Sequence, residues 1–389
     1  MHPNLLCFIL AGIGLNKLLR RFISSKKTKS TLRISYCRCI LLAVAVYAYR
    51  KGFKVCDQSS NLYFRNYASS ILKTLPKDSV LLINYDQQWT SVRYMQECEG
   101  LRTDVTSINL SMMSFYWWVT KHDLYPNIKF PGSRYSIHRD GFTLKNLMDA
   151  NNGFNGKAFI GGNKLFDEQS YSRNYMEIPH GLVRRIVKAK DMKKHNNAET
   201  YRRESQRIWQ TIAKEQSEGL PSLLRYTNAT WEWTLHREFY EHFAERAAHL
   251  LDLAVSKDTS GSSKLKSIVE ACAWLEIART NDEISDSSIG LWKNLGLAYM
   301  KIVQSDEDDD VDSLPKVKDI FVNTENSFLF QSIDDSWWNQ DHQTSWKGWA
   351  SMRWREAWRH FLKMDGAKRD SSFEQVKAIY DTVLGKLKR

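Results

Sequence analysis

The chain has 389 residues, of which 42% are hydrophobic and 12% aromatic. It can therefore fill the cores of two or three ordinary domains, and a disordered protein is excluded. A formal net charge of +12 would suggest a nucleic acid or an acidic membrane surface as partner, but residues 1–56 contain eleven Lys or Arg and no acid. The remaining residues are almost neutral, which argues against a nucleic-acid partner.

Two short apolar runs, residues 5–15 and 39–49, lie within this basic N-terminal region. A membrane span needs about 20 residues, and the second run reaches that length as residues 34–53. We predict a membrane region over residues 1–56 with one or two short spans. A signal-peptide core or a buried helix is the alternative for either run.

Charge also predicts the orientation in the membrane. Seven basic residues lie between the two apolar runs, from Lys17 to Arg33. By the positive-inside rule this loop is cytoplasmic, so the rest of the chain is expected on the lumenal side. Asn228-Ala229-Thr230 is then a candidate glycosylation site, whereas Asn109-Leu110-Ser111 lies in a predicted strand and should be buried.

Three of the six cysteines would face an oxidising lumen: Cys56, Cys98 and Cys272. Cys56 and Cys98 could form a disulfide that ties the segment after the membrane region to the next domain, or both could be free thiols. The sequence contains no CxxC motif and no Cys/His cluster with the spacing of metal ligands, so we predict no metal site.

Residues 57–190 have the pattern of a small α/β domain. Predicted strands at residues 80–85, 105–110 and 157–161 alternate with predicted helices at residues 63–75, 91–99, 112–122 and 140–150. Such alternation predicts a Rossmann-like, mostly parallel sheet.

Residues 198–389 consist of long amphipathic helices, which predicts an all-α domain. One of them, Trp292-Lys-Asn-Leu-Gly-Leu-Ala-Tyr299, resembles the first helix of a tetratricopeptide repeat. Near the C-terminus, one helix face carries Trp346, Ala350, Trp354, Ala357 and Phe361. This spacing is typical of a packed face, and a sugar-stacking platform is the alternative.

Asp86 follows the first predicted strand, at the sheet edge where α/β proteins bind ligands. It is a candidate ligand site, although an aspartate there also serves as the cap of the following helix. The turn Asp86-Gln87-Gln88-Trp89 has no glycine, so backbone cannot approach a phosphate closely. No phosphate-loop, nucleophile-elbow, zinc-protease or dinucleotide motif occurs in the chain.

Several short motifs resemble one known family. In chain order they are Cys56-Asp57-Gln58, Leu81-Leu82, Asp86, Ser91-Val92-Arg93-Tyr94-Met95, Cys98-Glu99-Gly100-Leu101-Arg102, Asp104, Met112-Met113 and Phe130-Pro131-Gly132. This order resembles the lumenal region of transmembrane protein 260, a family that is similar to the multi-pass protein O-mannosyltransferases. Tyr171-Ser172-Arg173-Asn174-Tyr175 and the Trp292 helix are similar to that region too.

The resemblance implies an endoplasmic-reticulum membrane protein that transfers mannose from a dolichol-linked donor to Ser or Thr of extracellular domains. In such enzymes the catalytic acid lies in the first lumenal loop of a large membrane domain. Here no acid precedes Asp57 and at most two spans are predicted, so no catalytic residue is assigned and this chain alone is expected to lack catalysis. Either the gene model is truncated, or the lumenal region works apart from the catalytic part.

Three functions are compatible with these patterns. The first is the lumenal part of an O-mannosyltransferase-like protein that binds or orients acceptor protein domains beside the membrane. The second is a non-enzymatic, membrane-tethered interaction protein that uses its repeat-like helices. The third is an α/β enzyme that binds a ligand at Asp86.

Overall fold

A computed structural model describes residues 42–52, 61–138, 141–195, 197–216, 219–221, 224–256, 262–282, 284–305 and 346–387. The chain divides into two units, Met1–Leu62 and Tyr63–Arg389. In the first unit, residues 42–52 are helical. Within the described ranges, no helix is both long enough and apolar enough to cross a membrane. The predicted run at residues 5–15 lies outside them, as do residues 34–41 and 53 of the second run.

The second unit begins with an α/β part. Its strands are β1 (Val80–Ile83), β2 (Thr106–Asn109), β3 (Ala158–Gly161), β4 (Tyr175–His180) and β5 (Val183–Lys188). Its α-helices are α1 (Tyr63–Thr74), α2 (Asp86–Glu97), α3 (Leu110–Met113), α4 (Leu144–Ala150) and α5 (Gln169–Asn174). Short 3₁₀ helices occur at Tyr116–Leu124, Asn152–Gly156 and Ala189–Lys194.

The five strands form one mixed sheet in the order β2-β1-β3-β5-β4. β1 is parallel to both β2 and β3, as predicted, whereas β5 is antiparallel to β3 and to β4. The expectation of a mostly parallel sheet is therefore wrong for its second half, where two strands were not predicted. These two strands form a hairpin, and Gly181 in its turn has a positive φ of 64° that favours glycine.

Both faces of the sheet are covered, which explains why β1 is a continuous apolar run. Leu81 and Ile83 point into a core shared with α1 and α2, and Phe159 of β3 lies on the same side. Val80 and Leu82 point into a second core formed with α3, α4 and the loop between them. The period of two thus divides the apolar side chains of β1, β3, β4 and β5 between the two cores.

The helical part consists of α6 (Ala198–Glu215), α7 (Trp231–Val255), α8 (Ser262–Asn281), α9 (Ile289–Val303), α10 (Trp346–Lys363) and α11 (Phe373–Leu387), with 3₁₀ turns at Ser285–Ser287 and Ala367–Arg369. The chain is thus an α/β part followed by helices, as predicted. One hydrophobic core connects them, because the cluster that contains Phe159 extends to Trp274 and Trp358. The predicted division between residues 190 and 198, and the tetratricopeptide-like arrangement, stay predictions.

The packing interpretation of the C-terminal tryptophan face is confirmed for four of its five residues. Ala350, Trp354, Ala357 and Phe361 are all buried, and the side chain of Trp346 lies outside the described part. The indole of Trp358, on the same helix, packs against Gly296 of α9 and donates a hydrogen bond from Nε1 to the Lys293 carbonyl at 3.2 Å.

Gly296→Ala should therefore destabilise the fold. A Cβ at this position would lie 2.1 Å from Cδ1 of the rigid Trp358 ring, and overpacking of this kind costs about 1–3 kcal/mol. Gly290→Ala on the same helix is the control, because nothing lies within 4 Å of its added Cβ. It should be neutral or slightly stabilising, since alanine has the higher helix propensity. Urea unfolding of both variants checks this, and equal midpoints would contradict it.

Candidate functional site

The carboxyl ends of the three parallel strands meet at one edge of the sheet. Asn84, just after β1, donates from its backbone N–H to the Gly161 carbonyl at 3.0 Å. Its side chain donates to the Asn163 carbonyl at 2.8 Å and accepts from the Ser111 hydroxyl at 2.5 Å. One asparagine therefore holds the segments after β1, β2 and β3 together, at the position where open α/β sheets bind ligands.

The crevice between β1 and β3 is filled by the protein's own Gln88. A Cβ added to Gly161 would lie 2.3 Å from Oε1 of Gln88, so the glycine is needed for this close approach. Gln88 is buried and donates from Nε2 to the Tyr67 hydroxyl at 2.8 Å. Its amide thus lies where a ligand would enter between the two strands.

Asp86 is the exposed first residue of α2. The residue at the N-cap is Tyr85, whose side chain makes no capping hydrogen bond, so the interpretation of Asp86 as the cap is wrong. Its carboxylate in the first turn instead complements the positive end of the helix dipole. A ligand-binding role for Asp86 stays a prediction.

Helix α7 closes this edge with a carboxylate. The Tyr67 hydroxyl donates to Oε2 of Glu238 at 3.1 Å, which extends the hydrogen-bond chain that begins at Gln88. Burial raises the pKa of Glu238, and burial together with the charge of Glu238 raises the pKa of Tyr85. Burial therefore disfavours the charged forms of both Glu238 and Tyr85.

Farther along α7, Glu245 and His242 form a cluster of charged side chains with Arg184 of β5. Arg184 of β5 contacts Oε1 of Glu245 at 3.3 Å and Oε2 of Glu177 at 3.3 Å, and it also donates to the Gly162 carbonyl. Glu245 accepts from Nδ1 of His242 at 3.1 Å. Burial lowers the pKa of His242, but the hydrogen bond and charge of Glu245 outweigh it, so the pKa is raised on balance.

The remaining predicted site residues lie elsewhere. Asn228 is exposed in the turn before α7, and Asn109 is buried in β2, as expected. Cys98 is exposed, but Cys56 lies outside the described residues, so their disulfide stays a prediction. Cys272 is a buried free thiol. In the part of the chain that the structure describes, no group of three His, Cys, Asp or Glu side chains could hold a metal ion.

The residues that fill the site were not predicted from the sequence. Gln88 lies two positions after the predicted Asp86, and Glu238 and His242 belong to a helix that was interpreted only as amphipathic. One signal was present, because two consecutive glycines, Gly161 and Gly162, end the third strand. Such a pair indicates the close approach of another group at a strand end.

The His242–Glu245 contact predicts a pH-dependent stability. A histidine whose folded pKa is raised above 6.5 stabilises the fold fully below that value, and the contribution is lost as the pH rises through the folded pKa. Unfolding by urea should therefore show that His242→Gln costs about 1 kcal/mol more at about pH 6 than at about pH 9.

The control for this prediction is the same substitution in a Glu245→Gln background, where the carboxylate partner of His242 is gone. There the cost of His242→Gln should vary much less with pH. A cost in the wild-type background that is equal at both pH values would contradict the prediction.

Comparison with known proteins identifies relatives of this chain. A family profile described as TMEM260-associated domain 2 matches residues 64–129, which extend from α1 into the segment after the 3₁₀ helix. A Dictyostelium discoideum protein named protein O-mannosyl-transferase tmem260 is 28% identical over 278 residues, which cover 68% of this chain and 33% of the relative. A Mus musculus protein of the same name, TMEM260, is 25% identical over 242 residues, 56% of this chain and 33% of the relative.

The chain spans about a third of the length of these curated relatives. No solved structure matches it. The motif order between Cys56 and Gly132, the domain match over residues 64–129 and the two relatives agree with one another. Together they support a member of the TMEM260 family, and the two relatives are named protein O-mannosyl-transferases.

Proposed function

We propose that this chain takes part in protein O-mannosylation by binding the acceptor protein on the lumenal side of the endoplasmic-reticulum membrane. The names of its relatives support the reaction class. The observation that carries the binding role is an exposed apolar surface within residues 64–129, the segment that matches the family profile. The membrane and a dolichol-linked mannose donor belong to the same proposal, and we assign no described residue to either.

The aromatic surface, as we call it, lies on α3 and the 3₁₀ helix that follows. Tyr116 is 73% exposed, Leu124 69% and Trp117 46%. Its members are Met112, Phe115, Tyr116, Trp117, Val119 and Leu124, which are all exposed. Contiguous apolar groups of this kind mark interaction sites on soluble domains, and aromatic residues in particular are enriched where proteins bind one another.

This surface is held in place by contacts beneath and within it. Trp118 is buried and packs edge-on against Phe130, with their ring centroids 6.1 Å apart. Phe115 and Trp117 stack on each other with centroids 5.9 Å apart and an angle of 9° between the planes. Rings that are already ordered lose little conformational freedom on binding, which favours recognition of a folded partner.

Charge at the surface favours a polypeptide with acidic or polar groups at its rim. The guanidinium of Arg134 lies 3.9 Å from the ring centroid of Tyr116 and donates to the Tyr116 hydroxyl at 3.1 Å. Lys121 and Lys129 are exposed nearby, and Asp123 is the one acidic residue between positions 111 and 138. An apolar centre with a basic rim is typical of an interface with hot-spot aromatic residues.

Replacement of the centre of the surface tests the binding role. In cells that lack the endogenous protein, Tyr116→Ser with Trp117→Ser in the full chain should lower O-mannose occupancy on extracellular domains several-fold. The physical reason is the loss of two aromatic contacts, each worth about 2 kcal/mol or more when it is a hot spot. Quantitative glycopeptide mass spectrometry measures the occupancy.

The matched control is Tyr94→Ser, which removes another tyrosine of similar exposure on α2. It should leave occupancy unchanged. Occupancy that stays at the wild-type level in the double variant would overturn the acceptor-binding role. Unchanged co-purification of the double variant with its acceptor domains would do the same.

Glycosylation of Asn228 tests the lumenal orientation separately. Wild-type chain should carry an endoglycosidase-sensitive mass increment that Asn228→Gln removes. Asn228 is the residue to change, because the Thr230 hydroxyl of the same sequon caps α7 by accepting from the Trp233 N–H at 3.4 Å. Thr230→Ala would therefore also weaken the helix. A wild-type chain with no such increment would leave the lumenal orientation without support.

A further inference from the structure

The β4–β5 hairpin packs against α6 beside a small cavity. A Cβ added to Gly181, in the turn of the hairpin, would lie 2.8 Å from side-chain atoms of both Ile208 and Ile212 of α6, so the two elements are in direct contact. The Tyr201 hydroxyl of α6 also donates to the Pro179 carbonyl of β4 at 3.3 Å. The cavity next to these contacts has a volume of about 30 Å³, which is room for about one or two water molecules.

Three histidines meet at this cavity. His180 of β4 and His195, which follows the 3₁₀ helix after β5, both line it, and so does Tyr201. His249 of α7 packs edge to face on the Tyr201 ring, with the two ring centroids 4.7 Å apart. We call His180, His195 and His249 the histidine joint, because they lie where the α/β part meets α6 and α7.

The imidazole of His180 connects three elements in its neutral form. It is buried, its Nε2 donates to the carbonyl of Thr74 at the end of α1 at 3.1 Å, and its ring centroid lies 4.9 Å from that of Phe159 in β3. The charged groups that face it are Arg185 of β5 and Glu204 of α6, which lie 3.8 Å apart. Burial lowers the pKa of His180 even though the Thr74 carbonyl and Glu204 act in the opposite direction, so the folded chain favours the neutral ring.

His249 has even less support for a positive charge. Its Nε2 atom is buried and has no hydrogen-bond partner among the described residues. Burial, and then the charge of His195, lower the pKa of His249 from 6.5 to about 4. An imidazolium has two N–H donors, and a buried charged donor without an acceptor is costly. Since the cavity has room for so little water, the surrounding elements must separate before the ring can be hydrated.

We propose that the histidine joint is a pH-sensitive switch that holds the hairpin against α6 and α7 while its imidazoles are neutral. Protonation of His180 or His249 favours a state in which α6 has moved away from the hairpin and water reaches the rings. The switch does not involve the aromatic surface, so it stands independently of the acceptor-binding role.

The pH range follows from the direction of the two shifts. A histidine whose folded pKa is lowered stabilises the closed state fully above about pH 6.5, and this stabilisation is lost as the pH falls toward the folded pKa, which is about 4 for His249. Two other groups of α7 act in the opposite sense, because the pKa values of His242 and Glu238 are raised. The switch is therefore measured as a difference between variants at each pH.

Urea unfolding of the full chain tests the switch. His249→Phe keeps an aromatic ring against Tyr201 but cannot be charged, and His180→Gln keeps a donor for the Thr74 carbonyl. Between about pH 7.5 and about pH 5, the folding equilibrium constant of the wild type should fall on the order of tenfold more than that of the double variant. His138→Phe is the matched control, because it removes an exposed histidine, and it should keep the pH dependence of the wild type.

Hydrogen exchange shows where the chain opens. At about pH 5, the amides of α6 should exchange faster in the wild type than in the double variant, whereas the amides of β1 should exchange equally in both. Each single variant is measured too, so that one remains if the double variant does not fold. The same loss of stability in the wild type and in the folded variants would overturn the proposal. Exchange of α6 at the same rate in the wild type and in the variants would also overturn it.

Discussion

The close approach of Gln88 to Gly161 is the contact on which the join between the sheet and the helices depends. Because residue 161 has no side chain, the Gln88 amide can lie over the end of β3 and donate to the Tyr67 hydroxyl. That hydroxyl in turn donates to Glu238 of α7. A single chain of hydrogen bonds therefore connects α2, α1 and α7, and the Gln88 amide at its start occupies the crevice that similar sheets leave open to ligands.

The sequence predicted the part of the fold in which periodicity is strong. β1, β2 and β3 are apolar runs between helical segments, and each was placed within two residues of its observed bounds. β4 and β5 escaped prediction because their outward positions carry charges, among them Glu177 and Arg184, which pair with each other. Pro179 also argues against a strand at residues 175–180, because proline has no backbone N–H to donate. β4 lies at the edge of the sheet, however, where proline is tolerated.

The sequence predicted the location of the candidate site but not the residues that fill it. A strand tip can be recognised from sequence, so Asp86 pointed to the correct edge. The distance between β1 and β3 decides which side chain fills the crevice. The carboxylate of Glu238 comes from more than 150 residues after Asp86. Neither is visible as a local pattern. The same limit explains why Asp86 was wrongly interpreted as the helix cap, because the backbone angles place the N-cap one residue earlier, at Tyr85.

The motifs that carry the family resemblance have structural roles where their contacts are visible. Gly100 ends α2 with a positive φ of 64°, and Arg102 then donates to the carbonyls of Leu72 and Leu75 at the end of α1 while pairing with Asp104. These residues fix the connections between helices and strands.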